Sequence, residues 1–278
     1  MDRRLISLPL NAVALSLRKL KQLGSSATAV VEKRSGPYRS WDPEVLRIDK
    51  MLEEAYLSVV PRLKRPILVL TEEAGEVTFG NDSVEAVVFC DPFDGSALYR
   101  RGIPAFWYTA LGVYSPDGKP ISAAVGDGLT FQIVYTDGRN AYQTNLDTIR
   151  KKVPVQPSDI KDLKDAYLAT YLMKPHFLYP TVERFKKLFQ AVKMVIPNGG
   201  PAGFADVASG KCDIYLAIRQ PVTEVFSALP IALAAGCVVT DFMGEPVQMV
   251  TDINQRLDII ACANADLHAQ VLAVVKRG

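Results

Sequence analysis

Four carboxylates and one hydroxyl stand where they could act together. Glu72 and Glu73 follow the apolar run Ile67 to Leu70, and Asp91 follows the run Glu85 to Cys90. Side chains just past the ends of buried strands leave the core, and ligand sites in open α/β sheets gather there. Asp94 comes three residues after Asp91, across a turn made by Pro92 and Gly95, and Ser96 follows. Carboxylates crowded within a few ångströms repel by ~4 kcal/mol per pair at 4 Å and intermediate dielectric, so a cation belongs among them. An all-oxygen ligand set without His or Cys suits a hard cation such as Mg²⁺. Gly95 lets a ligand approach the backbone, and a short helical turn through Ala97, Leu98 and Tyr99 would start with free N–H groups that attract phosphate oxygens. The combination points to metal-assisted phosphoryl chemistry. Alone, Asp91 and Asp94 would read as helix caps; the glutamate pair at a second strand end favours the functional reading.

Asp91-Pro92-Phe93-Asp94-Gly95-Ser96 closely resembles the DPxDG[ST] signature of the inositol monophosphatase superfamily, which also contains fructose-1,6-bisphosphatases and nucleotide 3′-phosphatases. Glu72-Glu73 resembles the upstream acidic pair of that family, Asp49 an Asp on its second helix, and Pro221 to Glu224 its second signature. The resemblance implies a layered α/β (α+β) sandwich of alternating helix and sheet layers in two subdomains. It implies metal ligation by Glu72, Asp91, the Phe93 carbonyl, Asp94 and Glu224, with two or three Mg²⁺ ions. Glu72 and Ser96 would position the attacking water, Glu73 would support Glu72, and Asp49 would orient the Ser96 hydroxyl. The Gly95 and Ser96 N–H groups would hold phosphate, and Asn198-Gly199 would touch substrate from its family position.

Several positions depart from the family pattern. Thr223-Glu224 stands where Trp-Asp is usual, Ala97-Leu98-Tyr99 follows the hydroxyl where Thr-Asn-Phe is usual, and Ala217 stands where the inositol-specific enzymes carry Glu. Arg100 and Arg101 are candidates for a second phosphate, because Arg pairs bidentately with phosphate oxygens. Lys174 and Arg219 carry the same ambiguity between substrate grip and solvated surface. The expected activity is a Mg²⁺-dependent phosphomonoesterase acting on a small phosphorylated sugar or polyol, of fructose-1,6-bisphosphate or inositol monophosphate type. A nucleotide 3′-phosphatase and a catalytically weak binder of phosphorylated ligands remain as alternatives. The family also implies a homodimer.

The elements that must carry these residues are legible as patterns. Leu10, Val13, Ala14, Leu17 and Leu20 recur at helical spacing, so the N-terminus reads as an amphipathic helix, and a cytoplasmic location is expected. Asp42-Pro43-Glu44 reads as the start of a second helix with Val45, Ile48, Leu52, Ala55 and Val59 on one face, ending near Pro61. Asp117-Gly118, Asp127-Gly128 and Asp137-Gly138 punctuate strand-like runs and predict a β-meander, since both positions of Asp-Gly tolerate positive φ. A polar stretch from Asn145 to Asp165 reads as a linker, dividing residues 1–150, with the acidic motif, from residues 151–278, which complete the site. Strands are expected at Ala166–Tyr171, Val192–Ile196, Cys212–Ile218, Cys237–Thr240 and Leu257–Cys262. Helices are expected at Ala202–Ser209, Val225–Ala235 and from Asn264 to Val275.

Composition bounds the partners. The 278 residues carry 32 Lys plus Arg against 30 Asp plus Glu, a net charge of +2, which lacks the basic excess of a nucleic-acid binder. The longest uncharged run, Val225 to Thr240, is shorter than the ~18 residues of a membrane span. Cys90, Cys212, Cys237 and Cys262 sit in or beside apolar runs with no CxxC pair, and read as buried thiols rather than a disulfide or zinc framework. With only His176 and His268, His-based catalysis has little material. His176, Trp41 and Trp107 read as structural residues.

Overall fold

Apolar faces at helical and strand spacing stack the chain as helix, sheet, helix, sheet and helix layers. The computed structural model describes residues 2–24, 26–34 and 43–276. α1 (Arg3–Leu23) starts at Asp2, whose side chain accepts the Arg4 N–H, and buries Leu5, Leu8, Ala12, Val13 and Leu17 along one stripe. β1 (Val30–Lys33) pairs antiparallel with β2 (Glu44–Leu46), and α2 (Arg47–Val59) follows. The helix start expected at Pro43-Glu44 is therefore displaced. Glu44 and Val45 spend their backbone in a ladder with Lys33 and Glu32, and the helix begins where the Asp49 Oδ2 accepts the Leu46 N–H at 2.7 Å. Asp42 and Trp41 lie outside the described residues.

The large sheet has eight strands: β3 (Ile67–Thr71), β4 (Gly75–Phe79), β5 (Ala86–Asp94), β6 (Tyr108–Tyr114), β7 (Pro120–Asp127), β8 (Gln132–Thr136), β9 (Ala141–Asn145) and β10 (Val153–Pro154). Its order is β10-β9-β8-β7-β6-β5-β3-β4, with β3 and β5 parallel and the other pairs antiparallel. α3 (Ser96–Arg100) lies between β5 and β6. The meander from β6 to β9 turns at the three Asp-Gly pairs. Gly118 and Gly138 take φ of +83° and +85°. At Asp127-Gly128 the left-handed position moves to Phe131, because the Asp127 carboxylate captures the Leu129 and Thr130 N–H groups and widens the turn. The stretch expected as a linker supplies β10, an edge strand where Pro154 removes no needed donor.

The sheet alternates faces with period two. Val88 and Cys90 pack with α1 and α2, whereas Val87 and Phe89 pack toward the second half of the chain. Phe89 is fully buried, a contribution of about 1.5–3 kcal/mol. The second sheet runs β12-β11-β13-β15-β14, with β11 (Tyr167–Ala169), β12 (Met194–Ile196), β13 (Ile214–Pro221), β14 (Val238–Asp241) and β15 (Arg256–Cys262). Between the sheets lie α6 (Pro201–Ala208) and α7 (Val222–Ala235). Gly112 of β6 lets α7 close in, since a Cβ there would stand 2.1 Å from the Phe226 carbonyl oxygen. α8 (Ala265–Val275) starts at Asn264, which accepts the Leu267 N–H, and covers the outer face of the second sheet with α5 (Lys186–Ala191). α4 (Pro175–Arg184), α5 and β4 have no counterpart in the sequence expectations. All four cysteines are buried free thiols. Among the described residues, no helix is long and apolar enough to cross a membrane.

Candidate active site

One face of α2 anchors the acidic region. Asp49 and Glu53, four residues apart, are both buried. Glu53 Oε1 accepts from Thr71 Oγ1 at 2.9 Å, from the Ala74 N–H at 2.8 Å and from the Glu73 N–H at 3.2 Å, and so pins the β3–β4 turn that carries Glu72 and Glu73. Burial pushes the Glu53 carboxyl above its usual range, and the donors from Ala74 and Thr71 oppose that rise. The sequence reading missed Glu53. Its one signal was the spacing of four from Asp49.

The motif loop is shaped by β5. Asp91 is opposite Ala110 on β6 and Asp94 is opposite Tyr108, with a register irregularity between them that bends the strand out of the ladder. Asp91 is 1% exposed. Gly95 takes φ +101°, and a Cβ there would stand 2.1 Å from the Phe106 carbonyl oxygen, so both conformation and space demand glycine. α3 then starts at Ser96. Its hydroxyl lies 2.7 Å from Asp49 Oδ1 and 3.2 Å from the Phe93 carbonyl oxygen, both acceptors. The Phe93 ring packs edge-on to Tyr99 at 5.3 Å, which fixes the loop from beneath.

Arg34, the residue after β1, enters the acidic cluster from the other side. Its guanidinium contacts the Glu73 carboxylate and lies 3.6 Å from Glu72 Oε1. Burial, and then the Glu72 charge, push the Glu73 carboxyl up, while Arg34 pulls it back. Among the described residues, no three acidic, Cys or His side chains converge on one point as they stand.

A cavity of about 190 Å³ opens beside the motif loop. Asp94, Gly95 and Ser96 line it from the large sheet, and Gly200 and Glu224 line it from the second half of the chain. A Cβ at Gly200 would stand 2.5 Å from Asp94 Oδ2 and 3.5 Å from Glu224 Oε2, so these two carboxylates face one small space. That space, walled by oxygens and free of a side chain, fits a hard cation. Glu224 stands in the first turn of α7, and Ala217 is buried on β13 and offers no carboxylate. The Asp49 carboxylate is linked to the cavity through Ser96.

The rest of the lining is different in kind. Leu98, Tyr171, Met173 and Phe177 form an apolar side, and Lys174 and Arg219 bring cationic groups. Tyr171 and Phe177 meet edge-on at 5.5 Å. Arg219 is held at φ +50° in an irregular stretch of β13, where its N–H donates to Asp258 Oδ1 at 2.7 Å. Arg100 and Arg101 do not line the cavity; Arg100 instead pairs with Glu44 on the exposed surface. Asn198 and Gly199 also stand outside the lining. Asn198 is buried, with its amide 3.4 Å from the Tyr108 hydroxyl and its Oδ1 accepting the Gly199 N–H. His176 is exposed, with its ring against Phe177, and Trp107 packs on Tyr99.

The family model described as "Inositol monophosphatase family" matches residues 11–277. A fructose-1,6-bisphosphatase/inositol-1-monophosphatase of Thermococcus kodakarensis is 30% identical over 233 residues, covering 82% of each chain. A fructose-1,6-bisphosphatase of Pyrococcus furiosus is 27% identical over 236 residues, covering 84% of each. Among solved structures, the extragenic suppressor protein suhB of Bartonella henselae superposes with a TM-score of 0.80 at 19% identity, over 97% of each chain, a likeness of fold.

Proposed function

The chain belongs to the inositol monophosphatase family, and from that premise we propose a Mg²⁺-dependent phosphomonoesterase that hydrolyses a small phosphorylated sugar or polyol. The observation that carries this reading is the Ser96–Asp49 hydrogen bond, at 2.7 Å, on a glycine-turned loop that faces the cavity beside Asp94 and Glu224. Asp49 accepts a hydrogen bond from the Ser96 hydroxyl, so the Ser96 oxygen keeps lone pairs toward the cavity and can accept a hydrogen bond from an attacking water. Glu72 is assigned to share that positioning, with Glu73 in support. The Gly95 and Ser96 N–H groups are assigned to the phosphate.

Glu72, Asp91, the Phe93 carbonyl, Asp94 and Glu224 would hold Mg²⁺, in two or three ions. When bound, the metal supplies a polarised water and neutralises charge at the phosphate, the step that uncatalysed monoester hydrolysis lacks. Residues 1–150 would then carry the motif, and residues 151–278 would close the site with Gly200 and Glu224. The metabolite is the partner; a cytoplasmic location goes with the amphipathic N-terminal helix, and a homodimer with the family resemblance alone.

Within the sugar and polyol class, a bisphosphate fits better than inositol monophosphate. Lys174 and Arg219 line the same cavity as the motif loop, and Ala217 leaves out a carboxylate for a ring hydroxyl. The second-phosphate role expected of Arg100 and Arg101 passes to these two. The names of the relatives give the nucleotide 3′-phosphatase alternative little support. The test is phosphate release from fructose-1,6-bisphosphate, inositol monophosphates and 3′-phosphoadenosine 5′-phosphate, with Mg²⁺ and with chelator. Chelator-sensitive release led by the sugar bisphosphate is expected; release unaffected by chelator sinks the metal mechanism.

A further inference from the structure

The acidic cluster already has a cation delivered to it. Arg34 is tethered by its own backbone, whose N–H donates to the Pro43 carbonyl at 2.7 Å, and it extends from β1 rather than from the strands that carry the carboxylates. Its side chain is only 10% exposed, and its guanidinium contacts Glu73 and approaches Glu72 to 3.6 Å. A guanidinium keeps its charge at every accessible pH, so this is a permanent positive group. Burial of that charge is tolerable only because carboxylates surround it.

Glu72 therefore faces two claims. The motif side of the site asks it to ligate a metal, while Arg34 holds the turn that bears it. With the guanidinium in place, no three acidic side chains among the described residues converge on one point. We propose that Arg34 is a built-in competitor of the divalent cation at Glu72, which withholds Glu73 from the ligand set and must yield Glu72 before metal loads. The inference rests on the metal reading of the site given above. Glu53 Oε1 is already committed to three donors, from Thr71, Glu73 and Ala74. Lys50 is engaged elsewhere, paired with Glu32 at 3.0 Å.

Calorimetric titration of the full chain with Mn²⁺ and with Mg²⁺, without substrate, tests this. Arg34→Gln is expected to bind at least about tenfold more tightly than wild type, or to gain one ion, because one full opposing charge leaves the cluster. Arg34→Lys, which keeps the charge, should stay near wild type. Hydrogen exchange gives a second readout in the unaltered protein: metal should speed exchange across Val30–Lys33 and Glu44–Leu46 as the guanidinium is displaced. Equal or weaker binding in Arg34→Gln, or exchange in the hairpin unchanged by saturating metal, overturns the competition while leaving the phosphatase reading standing. Absence of metal binding in both proteins overturns the metal reading, and this inference with it.

Discussion

The two walls of the cavity are built by opposite means. The motif wall is held by groups that the core itself fixes. Asp49, Glu53, Glu72 and Asp91 are each 5% exposed or less, and Glu53 and Asp49 take hydrogen bonds from three separate stretches of chain. The other wall is assembled from half-buried or exposed side chains, Tyr171, Met173, Lys174, Phe177 and Arg219, on a loop, a short helix and an irregular strand. Chemistry needs charges held at fixed separations in a low dielectric, which burial provides. Selection among substrates needs only contacts that differ between them, which exposed side chains provide. The contrast predicts that changes on the first wall abolish turnover or unfold the protein, and that changes on the second redistribute substrates.

The severest test is Asp91→Asn. It removes a buried charge without changing shape, so folding should survive, while turnover should fall by about 10³-fold or more, the scale of losing one preorganised charge at a reacting centre. Phosphate release and thermal unfolding, measured together, check it. Activity within tenfold of wild type would mean that the motif wall is not the catalytic one. Glu53→Ala should show the structural side of the same wall. It strands the Thr71 hydroxyl and the Glu73 and Ala74 N–H groups, at a cost of about 2–4 kcal/mol. Chemical denaturation should show that loss, and Glu53→Gln, which keeps an acceptor, should recover most of it.

The two walls were also unequally legible. Asp91 to Ser96 could be read because turn chemistry is local: the register break, the positive φ at Gly95 and the hydroxyl are all specified within six residues. Asp49 came from resemblance, and its bond to Ser96 spans 47 positions that no local rule connects. The meander was legible from Asp-Gly pairs, and α1, α6, α7 and α8 from spacing and caps. The start of α2 was misread because Pro43 and an acidic first turn suit a helix locally, while pairing with β1 is a tertiary preference that overrides it. α4 was missed because Pro180 lies inside it, and a proline in a helical pattern reads as a break. With α4 went Phe177, so of the second wall only Lys174 and Arg219 were legible beforehand.

That wall is sharpened by Lys174→Ala and Arg219→Ala. Each should raise KM for fructose-1,6-bisphosphate about tenfold, the scale of one lost charge-assisted contact, with kcat little changed. KM for inositol 1-phosphate should not move. Equal effects on both substrates would show that these residues shape the site rather than recognise a second phosphate. Arg100→Ala serves as the contrasting surface change and should leave both KM values near wild type.

The smallest effect is expected at a carboxylate belonging to neither wall. Asp206, on α6, is held 3.7 Å from Lys211, and burial pushes its carboxyl up to about 6 although Lys211 opposes the rise. A carboxyl raised in the folded state favours folding fully only below its unfolded value near 3.8, and that contribution is lost as pH climbs through about 6. Asp206→Asn should therefore match wild type in stability near pH 4 and exceed it at pH 7 by on the order of 1 kcal/mol, a modest figure because the Lys211 pairing is partly exposed to solvent. Thermal unfolding at both pH values reads the difference. Turnover should be unchanged, because burial alone does not make an acid part of the reaction. Asp206 has a route to the site: its charge is felt at Tyr108, whose hydroxyl meets the Asn198 amide beside Gly199 and Gly200. A fall in turnover with stability intact would show that the route carries function, and the division between the two walls would then need a third member.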